Sequence, residues 1–306
     1  MTHESAAVGA KWRDYLLHLR LGFNLLLSPV YLWGVLLAGG SITDPAFWLG
    51  YVSLHLFLYG GTTAFNSYYD RDEGPVGGML APPKVDEGLL PFSLAVQALG
   101  LIPAAMVGLP FVGAWLALFL VFTAYSHPAV RLKADPVAAL VAIGLGQGGI
   151  GFALGWLAVR PDAFQGTWHG GLASAEALLG ALSTALIVTG LYLVTQSYQE
   201  EEDRARGDRT IAVLVGARRS LLLALLPLAA GGSVLVAWSW LNLGAATAVV
   251  LALFFAVIAT LQIAWAARFD SRTVTQNFRT AMRFTATASL GLSLFLVVQL
   301  AVRVSA

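Results

Sequence analysis

Stretches of about 20 predominantly apolar residues, the length a helix needs to cross roughly 30 Å of hydrocarbon, recur along this chain with little interruption. The windows are 17–38, 47–69, 90–109, 111–126, 137–159, 175–198, 220–241, 243–267 and 282–304. Lipid offers backbone amides no hydrogen-bond partner, so apolar segments of this length must satisfy themselves as helices. Only 11% of the 306 residues are charged, where a soluble domain carries about 25%. The sequence therefore predicts an all-α membrane protein, with nine transmembrane helices in a single bundle and one domain over residues 1–306.

Basic residues set the expected orientation. With nine spans, sixteen of the 18 Lys and Arg residues fall on the side of the N-terminus, and only Arg160 and Arg303 fall opposite. Losing one span would invert the downstream loops and spoil that asymmetry. The N-terminus and the long polar connections are thus expected on the cytoplasmic side, most simply of a bacterial inner membrane. The first ten residues carry Glu4 and no early basic cluster, so the first span is expected to be retained rather than cleaved as a signal peptide. A net charge of +1 offers no footprint for nucleic acid, and without cysteine there is no disulfide or thiolate chemistry.

Two helix ends on the basic side match each other. The second span closes on Asn66-Ser67-Tyr68-Tyr69-Asp70-Arg71-Asp72-Glu73 and the sixth on Gln196-Ser197-Tyr198-Gln199-Glu200-Glu201-Glu202-Asp203. At an offset of 130 an amide, a Ser and a Tyr repeat, and acids follow at Asp70/Glu200, Asp72/Glu202 and Glu73/Asp203. If both segments stay helical, Asn66, Asp70 and Glu73 form one row and Gln196, Glu200 and Asp203 another, with Gln199 at the second row's edge. Such rows present hard oxygen donors suited to Mg²⁺, which takes one or two carboxylates and completes its shell with water and phosphate oxygens. The bland alternative is a pair of solvated helix ends with Arg204 and Arg206 as ordinary ion-pair partners.

At these residues the sequence resembles the UbiA-type intramembrane prenyltransferases. Their first motif, N-[DQ]-x-x-D-x-x-x-D, is matched by Asn66 and Asp70 but not by Ser67 and Gly74. Their second, D-x-x-x-D running into D-R-x-x-G-x-R-[ST], is matched by Asp203-Arg204-Ala205-Arg206-Gly207-Asp208-Arg209-Thr210, with Gln199 in place of the first Asp. Tyr125-Ser126-His127-Pro128-Ala129-Val130-Arg131-Leu132-Lys133 is similar to the family's Y-S-x-P-P-x-R-L-K segment, and Arg20 and Asn24 to its R-x-x-x-N pattern. The resemblance extends over essentially the whole chain.

That resemblance implies a central cavity opening to the cytoplasmic face and Mg²⁺-dependent transfer of an isoprenyl group from an isoprenyl diphosphate to a hydrophobic acceptor among the membrane lipids. It implies catalytic roles for Asp70, Asp203, Lys133 and Arg131. Substrate contacts are implied for Asn66, Arg71, Tyr125, Lys84, Arg209, Arg20, Asn24, Tyr68 and Tyr198. The metal ligands are sought among Asn66, Asp70, Glu73, Gln199, Glu200 and Asp203. Arg209 and Thr210 are equally suited to shaping their loop. The missing aspartates motivate a rival, a non-catalytic binding or assembly subunit of the same fold. A transporter would place charges or broken helices near the midplane, whereas these acids gather at helix ends.

Other features have simpler readings. The glycines of the fifth span suit close helix packing, and Gln147 among them suits either an interhelical hydrogen bond or a cavity wall. Several of the nine Trp residues fall near membrane interfaces. His127 has no partner at ligand spacing.

Overall fold

The computed structural model describes residues 3–162 and 171–305, and Trp168 and His169 lie outside them. Among the described residues every regular element is helical. The helices are α1 (His3–His18), α2 (residues 21–37), α3 (residues 45–70), α4 (Leu89–Val107), α5 (Leu109–Ser126), α6 (Pro136–Val159), α7 (Ala175–Gln196), the short α8 (Glu200–Arg206) and α9 (Ile211–Val215), α10 (Ala217–Leu243), α11 (Ala245–Ala267) and α12 (Val274–Ser305).

Eight of the described helical stretches are long and apolar enough to cross a membrane. They correspond to all the expected spans but the second. Residues 45–70 are helical throughout, but Ser53, His55, Thr62, Thr63, Asn66 and Ser67 make this stretch more polar than the others. Its middle is a π-helical turn, Ser53–Leu58, and α6 contains a longer one, Ala142–Ile150. Such wide turns concentrate at functional sites, and both helices reach the polar cavity described below.

Local chemistry explains the helix boundaries. Asp44 and Pro45 open α3, with the Asp44 carboxylate accepting from Ala46 N at 2.9 Å. Asp135 and Pro136 open α6, where the carboxylate accepts from Ala138 N at 2.8 Å, and Ser174 caps α7. These side chains satisfy amides that a helix start leaves orphaned. The tight connection between α4 and α5 turns at Gly108, whose φ of 144° is open only to glycine.

The core is aromatic. Tyr31, Trp33, Phe111, Trp115, Phe152 and Trp156 are all buried, so these three tryptophans fill the bundle, while Trp12, Trp48 and Trp240 are exposed. Gly34 and Gly155 let α2 and α6 meet backbone to backbone: a Cβ on Gly34 would strike Phe152 O, and one on Gly155 would strike Tyr31 O. Large apolar side chains such as Leu109, Leu226, Leu241 and Leu294 point outward, the arrangement that lipid rather than water permits.

Candidate active site

A polar cavity of about 200 Å³ sits where the start of α2, the second half of α3, the ends of α5 and α7, the middle of α6 and α8 meet; its lining includes Asn24, Asn66, Asp70, Asp72, Lys133, Gln147, Gln196, Gln199, Asp203 and Arg206. The two matched acid segments thus do reach one place, and Gln147 is a wall residue. A second cavity of about 490 Å³ lies outside it, lined by Arg71, Glu73, Glu201 and Glu202 among others. Asp70, Tyr198 and Arg206 line both and form the partition between them.

The continuous helical rows do not form. α3 stops at Asp70 because Arg71 adopts a left-handed backbone, φ 51°. The chain then turns Asp72 inward, where it is buried, and leaves Glu73 exposed. α7 stops at Gln196, and a turn through 197–199 precedes the new helix α8. Glu200 therefore leaves the face of Gln196. Its carboxylate pairs with Arg204 and accepts from Ala217 N at 2.8 Å, holding the start of α10. Among the expected metal ligands, Asn66, Asp70, Gln199 and Asp203 line the inner cavity, whereas Glu73 and Glu200 do not.

Each inward carboxylate meets a cation. Lys133 forms an ion pair with Asp70, which also accepts from Asn66 Nδ2 at 2.8 Å; Asn66 reaches Ser126 Oγ at 3.0 Å. Arg206 joins Asp72 to Asp203, with Nη2 at 2.8 Å from Asp203 Oδ1, and its Nε lies 3.6 Å from Asp208 Oδ2. Arg20 donates to Ser67 Oγ at 2.7 Å and lies 3.8 Å from Asp72. Burial, assisted by the nearby Arg206 charge, lowers the Lys133 pKa to about 8. Burial also raises the Asp203 pKa, against the pull of Arg206. For Arg206, burial works against the charge, but the bonds to Asp72 and Asp203 outweigh it and raise the pKa.

Other expected contacts are placed differently. Arg131 forms a bidentate pair with Asp208, at 2.9 and 3.1 Å from Nη2, and is not part of the cavity wall. Its role there is to hold the loop that presents Lys133. Arg209 is exposed, while its backbone N donates to Ala134 O at 3.1 Å, and Thr210 Oγ1 caps α9, so both shape the loop. Lys84 is exposed and Tyr68 carries Arg71 over its ring at 5.9 Å; neither Lys84 nor Tyr68 lines either of these two cavities. Arg20, Asn24, Tyr125 and Tyr198 do line the inner cavity, with Tyr125 OH donating to Tyr192 OH at 2.9 Å. His127 packs its ring on Tyr69.

Sequence reasoning missed Arg206 and Asp208 as site residues, because both occupy variable positions of the motif. Among the described residues the three non-glycine positions with positive φ are all arginines, Arg20, Arg71 and Arg131, at 47°, 51° and 48°. Left-handed backbone costs a non-glycine residue about 1–2 kcal/mol, and such strain collects at functional sites. Here it lets the chain turn sharply while keeping a guanidinium at the turn.

The sequence pattern of the UbiA prenyltransferase family matches residues 27–288. The chain belongs to that family, and with its apolar helices it is a multi-pass membrane protein. Solved structures share the fold. A UbiA homolog from Aeropyrum pernix K1 is 19% identical with a TM-score of 0.64, over 92% of this chain and 98% of that one. A UbiA homolog from Archaeoglobus fulgidus bound to DMAPP and Mg²⁺ is 19% identical with a TM-score of 0.61, over 91% and 98%. A digeranylgeranylglyceryl phosphate synthase structure is 15% identical with a TM-score of 0.60, over 94% and 99%. No curated protein matches the sequence.

Asn66, Asp70, Gln199 and Asp203 are hard oxygen donors lining one cavity, a set whose chemistry suits Mg²⁺ arriving with a phosphate ligand. As they stand, no three acidic or His residues among those described form a metal-holding group. The donors fit a hard divalent cation whose remaining shell is completed by phosphate oxygens and water.

Proposed function

We propose that this chain transfers an isoprenyl group from an isoprenyl diphosphate to a hydrophobic acceptor within the membrane, with Mg²⁺ accompanying the diphosphate. One juxtaposition carries the reading. The small polar cavity, walled by both acid segments and by Lys133 and Arg206, meets an apolar cavity of about 720 Å³ at Leu27, which lines both. The second cavity runs among Val30, Val188, Leu228, Val236, Phe255 and Leu292. A diphosphate suits the first and an apolar chain the second. Relatives bound to DMAPP, GPP and Mg²⁺ support the same ligand class.

In the reaction the bond between the isoprenyl carbon and the diphosphate oxygen breaks, its electron pair leaving with the oxygen. Lys133 and Arg206 supply preorganised positive charge where that negative charge builds, and bound Mg²⁺ would add Lewis-acid stabilisation, held from the Asn66–Asp70 side of the cavity. Tyr59, Tyr125, Tyr192 and Tyr198 line the cavity, and their ring faces suit the cationic character left on the isoprenyl carbon. The acceptor then forms the new bond and gives up its proton. Arg131 acts by positioning Lys133 through Asp208. The helix count is nine in this reading, with the N-terminus and the site on the cytoplasmic side of a bacterial inner membrane.

Expression in a host lacking the gene should yield a new prenylated lipid by mass spectrometry, and Asp70→Ala or Asp203→Ala should abolish it. Undiminished transfer by either variant would remove the assignment. The cation partner on every cavity carboxylate favours one other reading, a binding subunit that retains the diphosphate without transferring its isoprenyl group. Protein that binds geranyl diphosphate yet yields no prenylated product would support it.

A further inference from the structure

Arg206 stands where the two acid segments cross. It ends α8, three residues after Asp203 and four after Glu202, so both acids share its side of the helix. Its Nη1 meets Asp72 from the other segment and lies 3.5 Å from Glu202, its Nη2 lies 2.8 Å from Asp203, and its Nε lies 3.6 Å from Asp208. All three nitrogens of the guanidinium thus face carboxylates, and four carboxylates share one cation. Behind them Arg20 faces Asp72, Arg131 holds Asp208 and Lys133 holds Asp70.

The charge balance follows from these pairs. Asp70, Asp72, Glu202, Asp203 and Asp208 contribute five negative charges, and Arg20, Arg131, Lys133 and Arg206 four positive ones. The network is therefore close to neutral without any metal. A divalent ion bridging Asp72 to Asp203 would have to occupy the guanidinium's place and would bring a second positive charge into a cluster already balanced.

We propose that Arg206 is a built-in counter-cation replacing a bridging metal between the two acid segments, so that the site takes one divalent ion, on the Asn66–Asp70 side, and Arg206 itself faces the diphosphate. The diphosphate part rests on the prenyl-transfer reading; the metal count does not. Because Arg206 lines both the inner and the outer cavity, the anion meets it on entry. Arginine suits this role, since its planar fork holds two carboxylates and still presents charge to phosphate.

The test uses the full-length protein in detergent, with Mn²⁺ alone titrated by electron paramagnetic resonance and inorganic pyrophosphate titrated calorimetrically in EDTA. Wild type should bind no more than one Mn²⁺ per chain. Arg206→Gln should gain one further Mn²⁺, and the double variant Arg206→Gln/Asp72→Asn, which restores the charge balance, should lose it again. Pyrophosphate affinity without metal should fall about tenfold in Arg206→Gln, the loss of roughly one charge-assisted hydrogen bond. If thermal melting shows that Arg206→Gln has lost its fold, Arg206→Lys carries the test: one ammonium cannot span both carboxylates, so the second Mn²⁺ should appear with weaker affinity. Unchanged Mn²⁺ stoichiometry in the folded variant, or unchanged pyrophosphate affinity in Arg206→Gln, overturns the proposal. The Mn²⁺ titration needs no isoprenyl donor, so its failure would leave prenyl transfer standing, and a protein inactive in transfer can still pass it.

Discussion

The two acid segments match residue by residue at an offset of 130, yet they end their helices by different means. The first stops abruptly at Asp70, where the left-handed Arg71 throws Asp72 into the interior and Glu73 outward. The second loosens into a turn at 197–199 and begins again as α8, delivering Asp203 and Arg206 to the cavity while Glu200 holds the start of α10. Similar sequences therefore supply different goods: the first segment brings Asp70 and Asp72 to the cavity, and the second, with the residues just after it, brings Asp203 and Asp208 together with the cation that links them to the first. What matters at such a site is the backbone path after the helix end, more than the acids counted along it.

The largest effect should come from breaking the first segment's buried end. Asp72→Ala would leave Arg20 and Arg206 short of a partner in a buried setting, and losing one member of such a pair costs about 3–5 kcal/mol. A large drop in thermal stability, together with loss of diphosphate binding, is expected. A melting curve like that of wild type would mean that Asp72 does not anchor the crossing.

Lys133 sharpens the comparison through pH. Its folded pKa near 8 lies below the ordinary lysine value of 10.5, so the ammonium is present below pH 8 and is lost as pH rises through it. Diphosphate affinity should weaken above about pH 8, and Lys133→Arg, which stays charged, should move that fall to higher pH. A flat titration of wild type from pH 7 to 9.5 would contradict this. The same shift implies that the unfolded chain holds more protons between pH 8 and 10.5, so the Lys133 contribution to stability rises with pH across that window.

A smaller effect should separate backbone from side chain at Arg131. Arg131→Gly and Arg131→Ala both lose the pair with Asp208, but only glycine accepts φ 48° freely. The glycine variant should be more stable than the alanine variant by about 1 kcal/mol, read from denaturant unfolding in mixed micelles. Equal stability would mean the left-handed turn carries no strain. The smallest effect should follow Lys84→Ala, since Lys84 is exposed away from both polar cavities; diphosphate affinity should change less than about twofold, as weak exposed charges allow.

Much of the fold was legible because length and apolarity dictate membrane helices, and because Asp44, Asp135 and Ser174 mark helix starts by ordinary capping chemistry. Convergence of the two acid segments was legible from their match. The rows were not, because their premise of continuous helix failed at Arg71 and at 197–199, where no glycine or proline marks the break. Partner choice was equally hidden: Arg206 and Asp72 lie far apart in sequence, and nothing local says that they meet. Roles for Lys84 and Arg209 followed from charge and motif, which cannot say on which side of a loop a side chain lies.

In the proposed reaction both acid segments serve one diphosphate site. Calorimetric titration of geranyl diphosphate with Mg²⁺ into wild type, Asp70→Asn and Asp203→Asn tests it most directly. Saturable binding to wild type is expected, with at least a tenfold loss in each variant, one from either segment. Wild-type affinity in both variants, or loss confined to one segment, would contradict it.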